Sequence, residues 1–222
     1  MDFSRRQVIE AGIASGAVAM LASSSRLLAA VGDAPAVPAP LPVAAAPRVM
    51  VDPVIDQRLL SRARAAFDRN RSRLRHTDIV GITDFSRPSS TPRFFLLDTN
   101  TGRVSTHLVA HGRGSDPAHT GFLQRFSNEM GSNATSNGSY VTGDYYYGRY
   151  GRSLRLSGLD HSNDRAFERA IVVHSAWYAE PQQVAEHGRL GRSEGCFALS
   201  NASLQEVLAR LGPGRLLYAD RV

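Results

Sequence analysis

The segment Ala170–Ser200 reads AIVVHSAWYAEPQQVAEHGRLGRSEGCFALS. Its apolar run Ala170-Ile171-Val172-Val173 ends at His174 and predicts a buried central strand. The only cysteine of the chain, Cys196, follows 22 positions after His174, behind the small, turn-prone lead-in Ser193-Glu194-Gly195. Residues Ser175 to Arg192 must loop out and return if thiol and imidazole are to meet. A strand that fixes a histidine and a glycine-led turn that presents a cysteine together suggest a nucleophile and its base. The imidazole would take the thiol proton and leave a thiolate–imidazolium pair. Gly195 would let the backbone turn so that the Gly195 and Cys196 amides form an oxyanion hole, which points to acyl transfer through a thioester. No side chain in the sequence stands out as a third member. A backbone carbonyl can orient the imidazole equally well.

Outward from this segment the chain reads mostly as strands. Ile79 to Phe85 is a short β run. Arg93–Leu97 and Val104–Ala110 flank the polar turn Asp98–Gly102 and predict a hairpin. Ser139–Thr142 and Tyr145–Tyr147 are β-prone pieces broken by Gly143-Asp144, and Ser153–Leu156 alternates polar and apolar. Between Gly112 and Gly138 lies a long loop rich in Ser, Asn and Gly, of the kind that often carries function. Asn163–Arg169 suits a helical turn or two. Ser200 or Asn201 caps a helix over Ala202–Leu211, stopped by Gly212-Pro213, and Arg215–Ala219 forms a closing strand. The sum is a mainly β domain with peripheral helices, without the βαβ alternation of a doubly wound sheet.

The N-terminal quarter differs. Residues 1–30 carry Arg5-Arg6 ahead of the apolar run Ala11–Leu21 and resemble a twin-arginine export signal. Residues 31–50 hold five prolines and form an extended linker. Residues 51–76 predict a helix with Asp52 as N-cap and Pro53 in its first turn, apolar at Ile55, Leu59, Ala63, Phe67 and Leu74. The catalytic domain is expected over 77–222, in the periplasm or cell envelope.

The net charge is +6, and all 26 basic residues are arginine. They are scattered, with no basic stripe interleaved with aromatics, which argues against nucleic acid as a partner. The seven histidines include no HExxH pair; His107 and His111 stand four apart on a strand and its end, where that spacing does not make a helical face. No metal, cofactor or stable protein partner is expected. A lone thiol in an exported protein can form no internal disulfide and is retained for its reactivity.

His174 with Gly191-Arg192-Ser193-Glu194-Gly195-Cys196-Phe197-Ala198-Leu199 resembles the active-site signature of the murein L,D-transpeptidases, the YkuD-like branch. The resemblance spans roughly Ile79 to Asp220, including Phe126–Asn163. It implies an L,D-transpeptidase-like β-sandwich or barrel-like catalytic domain acting on peptidoglycan stem peptides. By the same resemblance, Cys196 attacks the bond after the third stem residue, commonly meso-diaminopimelate. D-alanine leaves, and an amine resolves the thioester. His174 is the base, Gly195 and Cys196 supply oxyanion amides, and Ser193 shapes the site. Tyr140 lines it, because its strand falls near the cysteine. Ser175 replaces a usual glycine and Ala198 a usual Arg or Asn. Substrate contacts therefore shift, with Arg192 expected to take an anionic contact and Ser175 to touch substrate. Hydrolysis of the same bonds (an L,D-carboxypeptidase or endopeptidase) and an inactive wall-binding module remain open alternatives.

Overall fold

The computed structural model describes residues 54–222. The export signal, the linker and the Asp52-Pro53 cap lie outside them. Helix α1 runs over Gln57–Asn70, capped by Asp56, whose carboxylate accepts from the Arg58 amide at 2.8 Å and the Leu59 amide at 3.4 Å. The helix is therefore shorter than the apolar spacing predicted. Past Asn70 the chain tightens into a 3₁₀ turn over Arg71–Arg73, and Leu74 is already extended.

Eight strands form one mixed sheet among the described residues: β1 (Ile79–Asp84), β2 (Phe94–Asp98), β3 (Val104–His107), β4 (Gly138–Gly148), β5 (Gly151–Gly158), β6 (Val172–Ser175), β7 (Phe197–Leu199) and β8 (Leu216–Asp220). Their order is β3-β2-β1-β8-β4-β5-β6-β7. The expected hairpin is present, with Phe94 opposite His107 and Leu97 opposite Val104. Gly143-Asp144 does not end a strand; it makes a bulge inside β4, where the register slips between Thr142 and Tyr145. β1 and β8 pair in parallel, Ile82 beside Tyr218.

Side-chain alternation divides the apolar residues between two faces. Val80, Ile82, Phe95, Leu97, Leu216 and Tyr218 pack with Leu59, Leu60, Ala63 and Ala66 of α1. Ile79, Phe94, Leu96, Tyr140, Leu154, Val173, Phe197 and Leu217 meet on the other side with Leu204, Val207 and Leu208. Those three belong to helix α3, over Asn201–Arg210. Strands from both ends of the order share this second core, so the sheet curls around it. A single bridge between Ala110 and Ala198 joins the chain beyond β3 to β7, giving the barrel-like closure.

β6 is not central but next to last in the order. It begins at Val172, because Ala170 adopts a left-handed conformation (φ 53°) that interrupts extension. The return from β6 to Cys196 is also more ordered than a loop. It contains a 3₁₀ turn over Trp177–Ala179 and helix α2 over Pro181–His187, ended by Gly188 at φ 69°.

Candidate active site

Strand parity decides which side chains share a face. Val173 and Phe197 point into the curled core and stand opposite each other in the parallel β6–β7 ladder. His174 and Cys196, the neighbours of those residues, therefore face outward on the same side. Both line one cavity of about 280 Å³ with Tyr150, Tyr178, Ser193, Glu194, Arg113, Arg149 and Arg192.

His174 is buried, and its Nδ1 lies 2.8 Å from the Ser175 carbonyl oxygen. That oxygen can only accept, so Nδ1 carries the proton and the Nε2 lone pair is left for a substrate or thiol proton. The orienting group is thus a backbone carbonyl of the adjacent residue. The ring of Tyr150 stacks on the imidazole, with centroids 4.4 Å apart and planes at 22°. Burial lowers the His174 pKa, only partly offset by the bond to Ser175.

The Cys196 thiol donates weakly to the Ala170 carbonyl at 3.6 Å. Burial raises its pKa, against a lowering contribution from the Val172 amide; the Glu194 carboxylate adds to the rise and Arg169 opposes it. With the thiol raised and the imidazole lowered, both groups rest neutral. Both shifts oppose the expected thiolate–imidazolium pair, which needs the thiol deprotonated and the imidazole protonated.

The turn before Cys196 is braced by Ser193. Its Oγ donates to the Cys196 carbonyl at 2.7 Å and accepts the Gly195 amide at 3.2 Å. The Gly195 amide is thus occupied within the turn and is not the free oxyanion donor expected. Gly195 itself is required by space and torsion. Its φ is 117°, and a Cβ there would lie 2.8 Å from the Ala134 carbonyl and from Ile171 Cδ1.

The long Gly112–Gly138 loop forms the wall behind this turn. Ser193 N–H donates to the His111 carbonyl at 2.9 Å, and Arg113 N–H to the Ser193 carbonyl at 2.7 Å. Gly112 packs against Gly195, where a Cβ would approach the Gly195 backbone to 2.7 Å. Behind the wall, sequence reading missed a buried cluster. Arg93 donates to His111 Nδ1 at 2.7 Å, and His111 Nε2 sits 3.5 Å from the Asp116 carboxylate. Desolvation and the Arg93 charge push the His111 pKa down to about 3.

The remaining expected contacts fall differently. Tyr140 is fully buried, donates to the Ser136 carbonyl at 2.6 Å and packs edge-on to Phe197; it belongs to the core, because its strand parity turns it inward. Arg192 lines the cavity, but its Nη1 is engaged by the backbone carbonyls of Asp116 and Pro117, the latter at 3.0 Å. Ser175 contributes its carbonyl to His174, while its hydroxyl donates to the Tyr150 carbonyl at 3.4 Å. Arg113, Arg149, Tyr150 and Tyr178 were not anticipated. The two-residue turn Arg149-Tyr150 between Gly148 and Gly151 carries the hairpin signal that would have located a projecting aromatic.

A model of the L,D-transpeptidase catalytic domain, of the YkuD_2 type, matches residues 52–219. The chain belongs to the L,D-transpeptidase catalytic domain family. This L,D-transpeptidase domain is also similar to an L,D-transpeptidase from Mycobacterium smegmatis, at 15% identity and TM-score 0.40, covering 64% of this chain and 58% of that one. Against L,D-transpeptidase 3 from Mycobacterium tuberculosis the identity is 17% and the TM-score 0.38, over 64% of this chain and 61% of that one. Against the L,D-transpeptidase from Xylanimonas cellulosilytica they are 15% and 0.37, over 71% and 68%. The chain thus spans about 58% of the length of the first of these. No curated protein matches the sequence.

Proposed function

We propose that the chain transfers acyl groups between peptidoglycan stem peptides, with Cys196 as nucleophile and His174 as base. The observation that carries this is the cavity that His174 and Cys196 line together, with the His174 Nδ1 proton bound to the Ser175 carbonyl so that Nε2 keeps its lone pair. As sulfur attacks the carbonyl carbon of the third stem residue, the thiol proton passes to Nε2. The Cys196 amide is the donor the turn leaves for the oxyanion. Collapse breaks the carbon–nitrogen bond, and the imidazolium returns its proton to the departing D-alanine amine. An acceptor amine then attacks the thioester and loses a proton to His174. The carbon–sulfur bond breaks, and the imidazolium reprotonates the thiolate. Residues 1–30 direct this chemistry to the cell envelope, where such stems occur.

Neutral resting groups suit this sequence, because proton transfer is then coupled to attack and no charge is desolvated beforehand. Incubation with tetrapeptide stems should yield crosslinked dimers and free D-alanine, with wild-type protein acylated at Cys196 by a carbapenem. Cys196→Ala should abolish both, and His174→Ala should slow acylation by at least ~100-fold. Release of tripeptide without dimers would assign the hydrolytic reaction instead. Full activity in Cys196→Ala would overturn the mechanism. A reporter that is active only when exported folded, fused behind residues 1–30, tests the localisation.

A further inference from the structure

Three arginines and one glutamate line the catalytic cavity, and the arginines are not equivalent. Arg113 pairs with Glu194 at 3.1 Å. Arg192 is held by the carbonyls of Asp116 and Pro117. Arg149 has neither kind of partner among the described residues; its guanidinium lies 5.5 Å above the ring of Tyr150. That ring in turn stacks on His174, so the one uncommitted cation of the cavity is carried within a single aromatic layer of the base.

We infer that Arg149 is a specificity-determining residue that binds a free carboxylate of the acyl donor next to the bond being broken. This rests on the function proposed above. The turn that carries Arg149 is fixed rather than loose: Gly148 and Gly151 pair across it, and the Ser175 hydroxyl donates to the Tyr150 carbonyl. A guanidinium stacked on an aromatic face keeps its N–H edges free, and those edges match the two oxygens of a carboxylate. The cavity's one carboxylate, Glu194, is paired with Arg113 at 3.1 Å and leaves Arg149 unopposed by a direct ion pair.

A stem tetrapeptide presents two carboxylates near the scissile bond, one on the terminal D-alanine and one on the side chain of the third residue. Arg149 recognises the shared chemistry, and three donors separate the sources: both carboxylates free, the terminal one amidated, or the side-chain one amidated. Acylation of full-length wild type, Arg149→Gln, Arg149→Lys and Arg103→Gln is followed by D-alanine (or D-alaninamide) release. Arg103 lies in the β2–β3 turn and controls for loss of net charge. Arg149→Gln should lower kcat/KM by about tenfold on the free donor, chiefly through KM, with partial rescue by lysine and no change in Arg103→Gln. Amidating one of the two carboxylates should lower wild-type kcat/KM by about the same factor and leave Arg149→Gln unaffected. That carboxylate is then the ligand. Equal loss in Arg149→Gln on all three donors, or a matching loss in Arg103→Gln, overturns the inference while the transpeptidase reading stands. Failure of wild type to form a thioester with any donor overturns that reading, and the inference falls with it.

Discussion

The ring of Tyr150 lies almost parallel to the imidazole of His174, 4.4 Å away, at the tip of a hairpin tied to the strand that bears the histidine. The stack shields one face of the base from water and limits ring rotation about the bond to Ser175. Tyr150→Ala should lower kcat about tenfold and raise the apparent pKa of the acidic limb toward the ordinary histidine value, since lost burial weakens the downward shift. Tyr150→Phe, which keeps the ring, should behave like wild type. A pH–rate profile of the three proteins checks this.

The thiol should be sluggish without substrate. Burial holds the Cys196 pKa above its ordinary value of 9.0, and Glu194 adds to the effect. Alkylation by iodoacetamide should therefore rise only in alkaline solution, with its midpoint above that of a free cysteine. Glu194→Gln should move the midpoint down. A midpoint near neutrality in wild type would show a preformed thiolate.

Gly195 answers to two constraints at once, a positive φ and neighbours 2.8 Å from any added Cβ. Gly195→Ala should cost roughly 1–3 kcal/mol in folding and reduce acylation by at least ~100-fold, because the turn presenting sulfur must shift. Gly131 has a similar positive φ of 74° but nothing within 4 Å. Gly131→Ala should show the smaller, purely torsional destabilisation of about 1 kcal/mol and keep its activity. Urea midpoints with carbapenem acylation rates separate the two effects.

Acid should destabilise the fold before the usual carboxylate range. The folded pKa of His111 is pushed down to about 3 by burial and Arg93, so between about 6.5 and 3 the unfolded chain binds a proton that the native one refuses. Stability contributed by this group is complete above about 6.5 and falls by up to ~1.4 kcal/mol per pH unit below it. His174, also lowered by burial, acts in the same direction. Urea unfolding between pH 7.5 and 5 should show a falling midpoint, with a flatter slope in His111→Gln.

Strands were legible in the sequence wherever one or both faces are buried. Phe94–Leu97 and Leu216–Ala219 are apolar on both faces because α1 covers one side and the curled core fills the other. The cap of α3 was equally plain: Ser200 Oγ accepts from Ser203 N–H at 3.2 Å. Helix α2 went unread although Pro181 opens it and Gly188 closes it, because the segment buries no residue and so lacks an apolar stripe. His174 and Cys196, which line one cavity, could be paired from residue type and order alone. Arg149 and Tyr150 could not, since a hairpin tip reaches His174 only through tertiary pairing of β5 with β6. Tyr140 was misassigned for a related reason: nearness to the cysteine in space did not fix which way its strand turned it.

The placement of β8 between β1 and β4 has a consequence for biosynthesis. His174 and Cys196 leave the ribosome before residues 216–220, yet those residues supply a middle strand of the sheet, with β1 and β4 unable to pair without them. β1 and β4 make no ladder with each other; each is joined to the other only through β8. Such non-local pairing folds slowly. The strand that joins the two halves of the sheet is thus translated after every residue that lines the cavity of His174 and Cys196.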